Sequence, residues 1–296
     1  MTVDIVAARD FMATHARVLD RRRFELRDGG TDPTGALAAL DGYRNDDGGY
    51  GWGLEPDLRS HESQPGSAAH AFEVFEEVAP ATAPQAAQLC DWLDSVTLPD
   101  GGLPMALPAR SSAGNAPWWE AADPSVSSLQ ITVFTAASAH RVAAGDPAVA
   151  SHPWLERATS YCLSAIDGIG EAPFAYVLKF SLGFLDAVYD TCPEAPALLG
   201  RLGAYIPDNG LIPVSGGTAN EMLRPLDVAP YPGRPVRELY AADVIEADLE
   251  RLAGLQQEDG GWVVDFLKIS PAGSLDWRGY VTVSAIDILR RNARIA

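Results

Sequence analysis

Basic side chains are scarce in this sequence, and their scarcity excludes one broad class of function. The chain of 296 residues has 40 acidic residues against 22 lysines and arginines, and its only lysines are Lys179 and Lys268. The formal net charge is therefore -18. Nucleic-acid-binding proteins need clustered basic side chains to contact the phosphates. We expect no nucleic-acid partner.

Cysteine and metal-binding patterns are also sparse. The three cysteines, Cys90, Cys162 and Cys192, form no Cys-x-x-Cys pair. They predict neither a disulfide framework nor a zinc site, and they favour a reducing compartment. The histidines show no spacing typical of metal ligands. We expect a protein that needs no metal or cofactor.

Long hydrophobic runs are missing too. No segment approaches the roughly 20 apolar residues that a membrane-spanning helix needs, and the N-terminus lacks a signal-peptide pattern. The sequence predicts a cytoplasmic protein without a membrane span. The length is sufficient for a single domain over residues 1–296 with a large core. The oligomeric state stays open.

What the sequence does contain is a recurring turn. The pairs Asp-Gly or Asp-Asn-Gly occur at Asp47, Asp100, Asp208 and Asp259, and a degenerate copy occurs at Asp167. The four clear copies are 53, 108 and 51 residues apart. Periods of this size indicate stacked supersecondary units. The aspartates themselves are expected to be structural, because Asp and Gly supply turn geometry.

The stretches around each turn predict helices. "PQAAQLCDWLDSV" and "VIEADLERLAGLQ" have apolar residues at helical spacing and one polar face. "SSLQITVFTAASA", "FAYVLKFSLGFLDAVY" and "GYVTVSAIDIL" are apolar nearly all round. β-Branched residues leave a strand interpretation open for these runs, but their length favours buried helices. The alternation predicts an all-α fold, an α/α toroid or barrel of inner and outer helices built from about five to six helical-hairpin repeats.

One unit departs from this pattern. Residues 213–235 contain five prolines, which argue against a long helix before one that begins near Val236. A missing inner helix would leave an opening in the inner ring. We expect this long segment to cover the opening as a lid.

The last turn carries a family resemblance. "RLAGLQQEDGGWVVDF", with Gln257, Gly260, Gly261 and Trp262, resembles the glutamine-tryptophan repeat of the terpene-cyclase and prenyltransferase-β superfamily. The resemblance implies an α/α toroid in which the glutamine caps neighbouring helix ends and the tryptophan stacks beneath it. Only this copy is complete.

The family's reactive motifs are missing. The sequence has no Asp-x-Asp-Asp, and Asp46 and Asp47 do not continue as Asp-Asp-x-x-Asp. The last unit offers Asp276 without the cysteine and histidine that hold zinc in prenyltransferases, and the Cys-His-Gly of lanthionine-forming cyclases does not occur. The resemblance thus implies a fold more directly than an activity.

Acidic and aromatic residues are concentrated in the loops that follow the turns and lead into the inner helices. The toroid would gather these loops at one mouth of a central cavity. Paired carboxylates there would suit acid/base catalysis, and aromatic walls would hold a hydrophobic or sugar-like ligand. The predicted catalytic residues are Glu55, Asp57, Asp123 and Asp276. The predicted ligand-binding residues are Trp52, Arg59, Trp118, Trp119 and Trp277.

Two interpretations compete for these residues. Asp123 and Asp276 both precede apolar helical runs, and each is equally explained as a helix cap. The first functional hypothesis is a terpene cyclase-like, acid-catalysed enzyme acting on a hydrophobic, isoprenoid-like small molecule. The alternatives are a carbohydrate-active α/α-barrel enzyme, in which two acids flank a glycosidic bond, and a non-catalytic ligand-binding or scaffold toroid.

Overall fold

The computed structural model describes residues 3–295, and these residues form a mostly helical, all-α fold, as the sequence predicts. None of the described helices is long and apolar enough to cross a bilayer. The helices are α1 (Ile5–His15), α2 (Val18–Arg27), α3 (Thr34–Asp41), α4 (Pro65–Glu77), α5 (Pro84–Val96), α6 (Pro117–Glu120), α7 (Leu129–Ala143), α8 (Pro147–Ala150), α9 (Pro153–Asp167), α10 (Ala175–Ala187), α11 (Ala195–Gly203), α12 (Pro225–Val228), α13 (Ala242–Gly254) and α14 (Pro271–Arg291), with a 3-10 helix at Pro235–Leu239 and strands β1 (Ile212–Pro213) and β2 (Met222–Leu223).

The predicted helices are confirmed. The string "PQAAQLCDWLDSV" is α5, and the other four runs lie mainly in α13, α7, α10 and α14. The strand interpretation of the β-branched runs is wrong, because these runs lie within α7 and α14. The hydroxyl of Ser128 caps α7 and that of Ser270 caps α14, each by accepting a backbone N–H of the first turn.

Helix α7 lies at the centre of the most extensive packing. It packs against α4 on one side and α10 on the other. The buried faces carry many small residues, among them Ala68 and Ala71 on α4 and Ala136 and Ala139 on α7. Such residues let helix axes approach closely. Helix α14 packs against α1, α2 and α13.

The recurring turns have a common hydrogen-bonding pattern. Asp47 Oδ1 accepts the N–H of Gly49 and the hydroxyl of Ser63, and Asp100 Oδ1 does the same with Gly102 and Ser127. The serine in each case directly precedes the N-cap position of the next buried helix. These turn aspartates therefore fix where the buried helices begin.

Two further turns vary the pattern. Asp259 accepts from the N–H of Gly261 and from the guanidinium of Arg278. In the turn at Asp208, the neighbouring Asn209 accepts the N–H of Leu211 instead. The first glycine of the last turn, Gly260, has φ +89, a conformation that favours glycine.

The glutamine-tryptophan segment connects the C-terminal half to α1. Trp262 is buried, and its indole N–H donates to the Leu252 carbonyl at 2.9 Å. The glutamine that bridges the two parts is Gln256 rather than Gln257: its side chain accepts from the Asp4 N–H and donates to the Asp4 carbonyl, both at 2.8 Å. Gln257 bonds locally, to the Leu255 carbonyl.

The proline-rich segment packs between α10 and α14. It contains the hairpin of β1 and β2 and the short helix α12, so no long helix forms, as predicted. The next α-helix begins at Ala242 rather than near Val236, which lies in the 3-10 helix. Arg234 pairs with Asp186 of α10 at 2.9 Å. Tyr231 donates its hydroxyl to Asp287 of α14 at 2.8 Å.

Candidate functional site

The loop of residues 51–60 contains Glu55 and Asp57, and it is held on several sides. The guanidinium of Arg17, which precedes α2, donates to the carbonyls of Gly53 and Leu54 at 3.1 and 3.0 Å. The carbonyl of Asp57 accepts the N–H of Ala116 at 2.8 Å. The loop thus has a defined conformation, with both acidic side chains buried.

Asp57 is the most chemically distinctive of the predicted residues. Its Oδ2 accepts the indole N–H of Trp277 at 2.8 Å. Asp57 is only 3% exposed. Burial raises the pKa of Asp57 to about 6; the Trp277 hydrogen bond opposes the shift, the charge of Glu55 adds to it, and Arg59 opposes it. Asp57 therefore holds a proton at mildly acidic pH.

Glu55 is bonded to a histidine on α4. Glu55 Oε2 lies 2.7 Å from His70 Nε2, and Glu73 Oε2 lies 2.8 Å from His70 Nδ1. Burial lowers the pKa of His70, but the carboxylates of Glu73 and Glu55 outweigh burial and raise it to about 9. His70 is therefore an imidazolium at neutral pH. Tyr280 of α14 donates its hydroxyl to the other oxygen of Glu73 at 2.8 Å.

A second charged pair closes the site beside Asp57. Arg59 Nη1 lies 2.5 Å from Asp276 Oδ2. This contact links the loop to the N-terminal part of α14, next to Trp277. The N–H of Arg59 also donates to the Asn115 side chain, so residues from three segments meet here.

Further charged pairs lie next to Glu73, on α2 and α4. The guanidinium of Arg23 on α2 makes a bidentate contact with Glu77, at 2.8 Å for both hydrogen bonds. Burial raises the pKa of Glu73, but His70 and Arg23 reverse that effect and lower it. Glu73 and Glu77 are thus each paired with a buried cation.

Aromatic rings extend away from His70. Its ring makes an edge contact with Phe134 of α7 at 5.6 Å between centroids. Phe134 stacks on Phe180 of α10 at 4.6 Å, and Phe180 contacts Tyr176 at 6.1 Å. On the other side, Trp277 lies 6.1 Å from His70. These rings are half-buried.

The structure brings together five of the predicted residues: Glu55, Asp57, Arg59, Asp276 and Trp277. Asp123 takes no part in the contacts that join these five. Asp123 is exposed, and its Oδ1 accepts the N–H and hydroxyl of Ser125 in a local turn. It is not the cap of α7, whose N-cap residue is Ser128.

The three other predicted aromatic residues lie outside the cluster. Trp52 is 55% exposed, with its indole N–H donated to Asn45. Trp118 is 40% exposed. Trp119 is buried against Gly66 at the start of α4. Their part in ligand binding stays a prediction.

Sequence reasoning missed His70, Glu73 and Tyr280. His70 and Glu73 lie three residues apart in the otherwise apolar stretch of α4 around Phe72 and Val74. Charged residues are almost never buried without partners, and this spacing places both side chains on one helix face. That pair was the available signal.

Within residues 3–295, no group of three or more His, Cys, Asp or Glu side chains is arranged to hold a metal ion.

Comparisons with known proteins bear on the fold alone. No protein-family model matches the chain, and no curated protein matches it. The fold is similar to that of a protein from Actinoplanes in its crystal structure, with a TM-score of 0.58 and 15% sequence identity over 97% of this chain and 98% of that chain. At this identity, the shared fold carries no statement about activity.

Proposed function

We propose that this protein is an acid-catalysed enzyme of the terpene cyclase-like α/α-toroid type, with Asp57 as the proton donor to a hydrophobic, isoprenoid-like substrate. One observation carries the proposal: Asp57 is a buried carboxyl group with a pKa of about 6 whose hydrogen-bonding partner is a neutral indole. The neighbouring acids Glu55 and Asp276 each face a cation. Asp57 is therefore suited to hold and release a proton.

Helix neighbours support the toroid. The sequence of contacts runs from α2 to α4, α7 and α10, then through the segment at α12 towards α13 and α14, and from α14 back to α2. A closed series of neighbours is what a ring of helices requires. The proline-rich segment would then replace one inner helix.

The aromatic rings support a hydrophobic ligand. Phe134, Phe180 and Tyr176 lie on one side of His70, and Trp277 lies on the other. Half-buried rings offer apolar surface to a ligand. Their faces also favour a developing positive charge on the substrate.

The pKa of Asp57 narrows the class of reaction. A carboxylic acid with a pKa of about 6 keeps its proton well but is a weak acid, so it suits transfer to oxygen better than to an unactivated carbon-carbon double bond. In the proposed step the proton moves from Asp57 to an epoxide, ether or carbonyl oxygen. The carbon-oxygen electrons move to that oxygen, and the carbon cation that forms loses a proton from an adjacent carbon to the Asp57 carboxylate. The Trp277 N–H stays bonded to that carboxylate throughout.

A second candidate is a ligand-binding toroid without catalysis. It is favoured by the pairing of Glu55 with His70 and of Asp276 with Arg59, since such neutralised pairs also serve a purely structural role. The carbohydrate-active alternative has less support. Glu55 and Asp57 share one loop, with the Asp57 N–H donated to Glu55, whereas a glycosidase needs acids on opposite sides of the scissile bond.

The test compares Asp57→Asn with wild type and with Asp123→Asn, a matched change at an exposed acid. Each protein is incubated with a panel of isoprenoid epoxides and ethers and of aryl glycosides, and products are identified by mass spectrometry. Loss of general-acid catalysis should lower turnover by at least about 100-fold in Asp57→Asn and leave Asp123→Asn unchanged. Full activity in Asp57→Asn would refute the role of this residue. A co-purifying ligand that both proteins bind without turnover would favour the non-catalytic candidate.

A further inference from the structure

Exposed apolar side chains are unevenly distributed over this protein. Ten large hydrophobic side chains are exposed in the described part of the chain, and seven of them lie on the segments that lead into α4, α7, α10 and α14 or on the first turns of α14. We name these seven the apolar rim: Trp52, Trp118, Val126, Phe174, Val263, Leu267 and Leu275.

The segments that carry the rim are joined to one another. The N–H of Arg110 bonds to Glu62, which connects the segments before α7 and α4. Arg59 pairs with Asp276, which connects the segment before α4 to α14. The hairpin contacts both remaining segments, through Tyr176 to Glu221 and through Thr218 to the Asp265 carbonyl. The segments that carry the rim are therefore neighbours.

One rim residue is exposed but fixed. Trp52 has φ 58, a conformation that is uncommon for any residue except glycine. Its indole N–H donates to Asn45 at 2.8 Å, and its ring lies against His61 at 5.5 Å. A large ring held in this way is ready for contact without further ordering, which lowers the entropic cost of binding.

Residues 263–269 offer backbone N–H groups that have no backbone acceptor in the described chain. This segment has no helix or strand, and within the described chain none of its N–H groups donates to another backbone group. Exposure alternates along it, with Val263, Asp265 and Leu267 exposed and Val264 and Phe266 half-buried. An extended peptide can pair with a segment whose N–H groups lack a backbone acceptor and whose side chains are alternately exposed, and so add to it as a strand.

The charge of the segments that carry the rim favours one kind of partner over others. The exposed acids on the segments that lead into α4, α7, α10 and α14 outnumber the exposed bases. The acids are Asp46, Asp47, Asp100, Glu120, Asp123, Glu171, Glu258, Asp259 and Asp265, and the bases are Arg110 and Lys268. The whole chain carries -18, so anionic lipid and a second copy of the same chain are both repelled. A polypeptide with basic side chains is attracted.

We propose that the apolar rim is a docking surface for an extended polypeptide with alternating apolar and basic residues, which pairs with the backbone of residues 263–269. Its apolar side chains would contact Val263, Leu267 and neighbouring rim residues, and its basic side chains would face Asp265. The proposal concerns an interaction surface. It holds whether or not Asp57 is catalytic.

The test uses a short fluorescent peptide of alternating valine and lysine, and the same peptide with glutamate in place of lysine. Fluorescence anisotropy should show binding of the lysine peptide only, weakened by salt. Hydrogen exchange should show new protection of the amides at 263–269. The double variant Asp265→Lys with Leu267→Ser should lower the affinity at least about tenfold, since one buried leucine alone contributes that much.

The matched control is Leu255→Ser, which removes an exposed leucine at the end of α13, outside the rim. It should bind the lysine peptide like wild type. Circular dichroism establishes that each variant is folded. Equal binding of both peptides, or unchanged binding by the double variant, would refute the proposal. Binding to phosphatidylcholine vesicles without peptide binding would instead identify a membrane surface, and self-association lost in Leu267→Ser would identify a second copy of the chain.

Discussion

Replacing Asp57 with asparagine should make the protein more stable while removing its proposed proton donor. Asparagine keeps an oxygen that accepts the Trp277 N–H but never ionises. In wild type, the pKa of Asp57 is raised from 3.8 to about 6. The folded state therefore binds the proton more tightly than the unfolded state, and ionisation above pH 6 opposes folding.

The magnitude follows from the shift. Two pKa units correspond to about 3 kcal/mol, and partial solvent screening reduces the expected gain in the free energy of unfolding to about 1 to 2 kcal/mol at pH 8. The sign is fixed: the penalty is absent below pH 3.8 and develops as the pH rises through about 6. The gain from Asp57→Asn should therefore grow by about 1 kcal/mol between about pH 5 and pH 8.

Urea unfolding of both proteins at the two pH values measures this difference. Asp123→Asn is the control, because Asp123 is exposed and the Ser125 hydrogen bonds lower its pKa, so this change should bring no gain at pH 8. A stability difference between Asp57→Asn and wild type that stays constant across this pH range would show that Asp57 ionises normally, and the reasoning from burial would be wrong.

Three further changes address the surroundings of Asp57. His70→Gln leaves Glu55 and Glu73 buried without their cation and should cost about 3 to 5 kcal/mol in urea unfolding at neutral pH. The pKa of His70 is about 9 in the folded state, against 6.5 ordinarily. The stabilisation by the His70 cation is therefore complete below pH 6.5 and is lost as the pH rises through 9. Above pH 9 the free energy of unfolding of His70→Gln should approach that of wild type. Glu55→Gln should lower the pKa of Asp57 without returning it to 3.8, since burial is the larger cause of the shift. Carbon-13 NMR titration of the Asp57 carboxyl group measures this pKa. A higher pKa in the variant would contradict a contribution from the charge of Glu55. Trp277→Phe removes the donor that lowers the pKa of Asp57, so the same titration should give a higher value, and no change would show that the hydrogen bond is unimportant.

The helices were predictable because their signal is local and periodic. Helix α5 could be read from its spacing of apolar residues, and α7 from its length and from the Ser128 cap. The hairpin and the 3-10 helix were not predictable, because proline excludes helix without specifying what replaces it. Their conformation depends on distant partners such as Asp186 of α10.

The site was predictable in part, for a similar reason. Glu55 and Asp276 are 221 positions apart. A common site for them was predicted from the expectation that the loops before the buried helices lie at one end of the fold. Asp123 met the same expectation but lies two residues before Ser125, whose N–H and hydroxyl satisfy its carboxylate locally. For His70, Glu73 three residues along α4 was a local signal, whereas its other partner, Glu55, comes from a separate loop.

The pairing of charges explains why Asp57, and none of the acids beside it, is the residue to test. His70 lies between Glu55 and Glu73, and the nearby cation Arg59 is engaged by Asp276. A cation bonded directly to Asp57 would lower its pKa, and the proton would be lost at neutral pH. The indole of Trp277 is a neutral donor, so it fixes the carboxyl group with a smaller effect on its charge. A neutral donor combined with burial is therefore the arrangement that keeps a positioned proton available near pH 6.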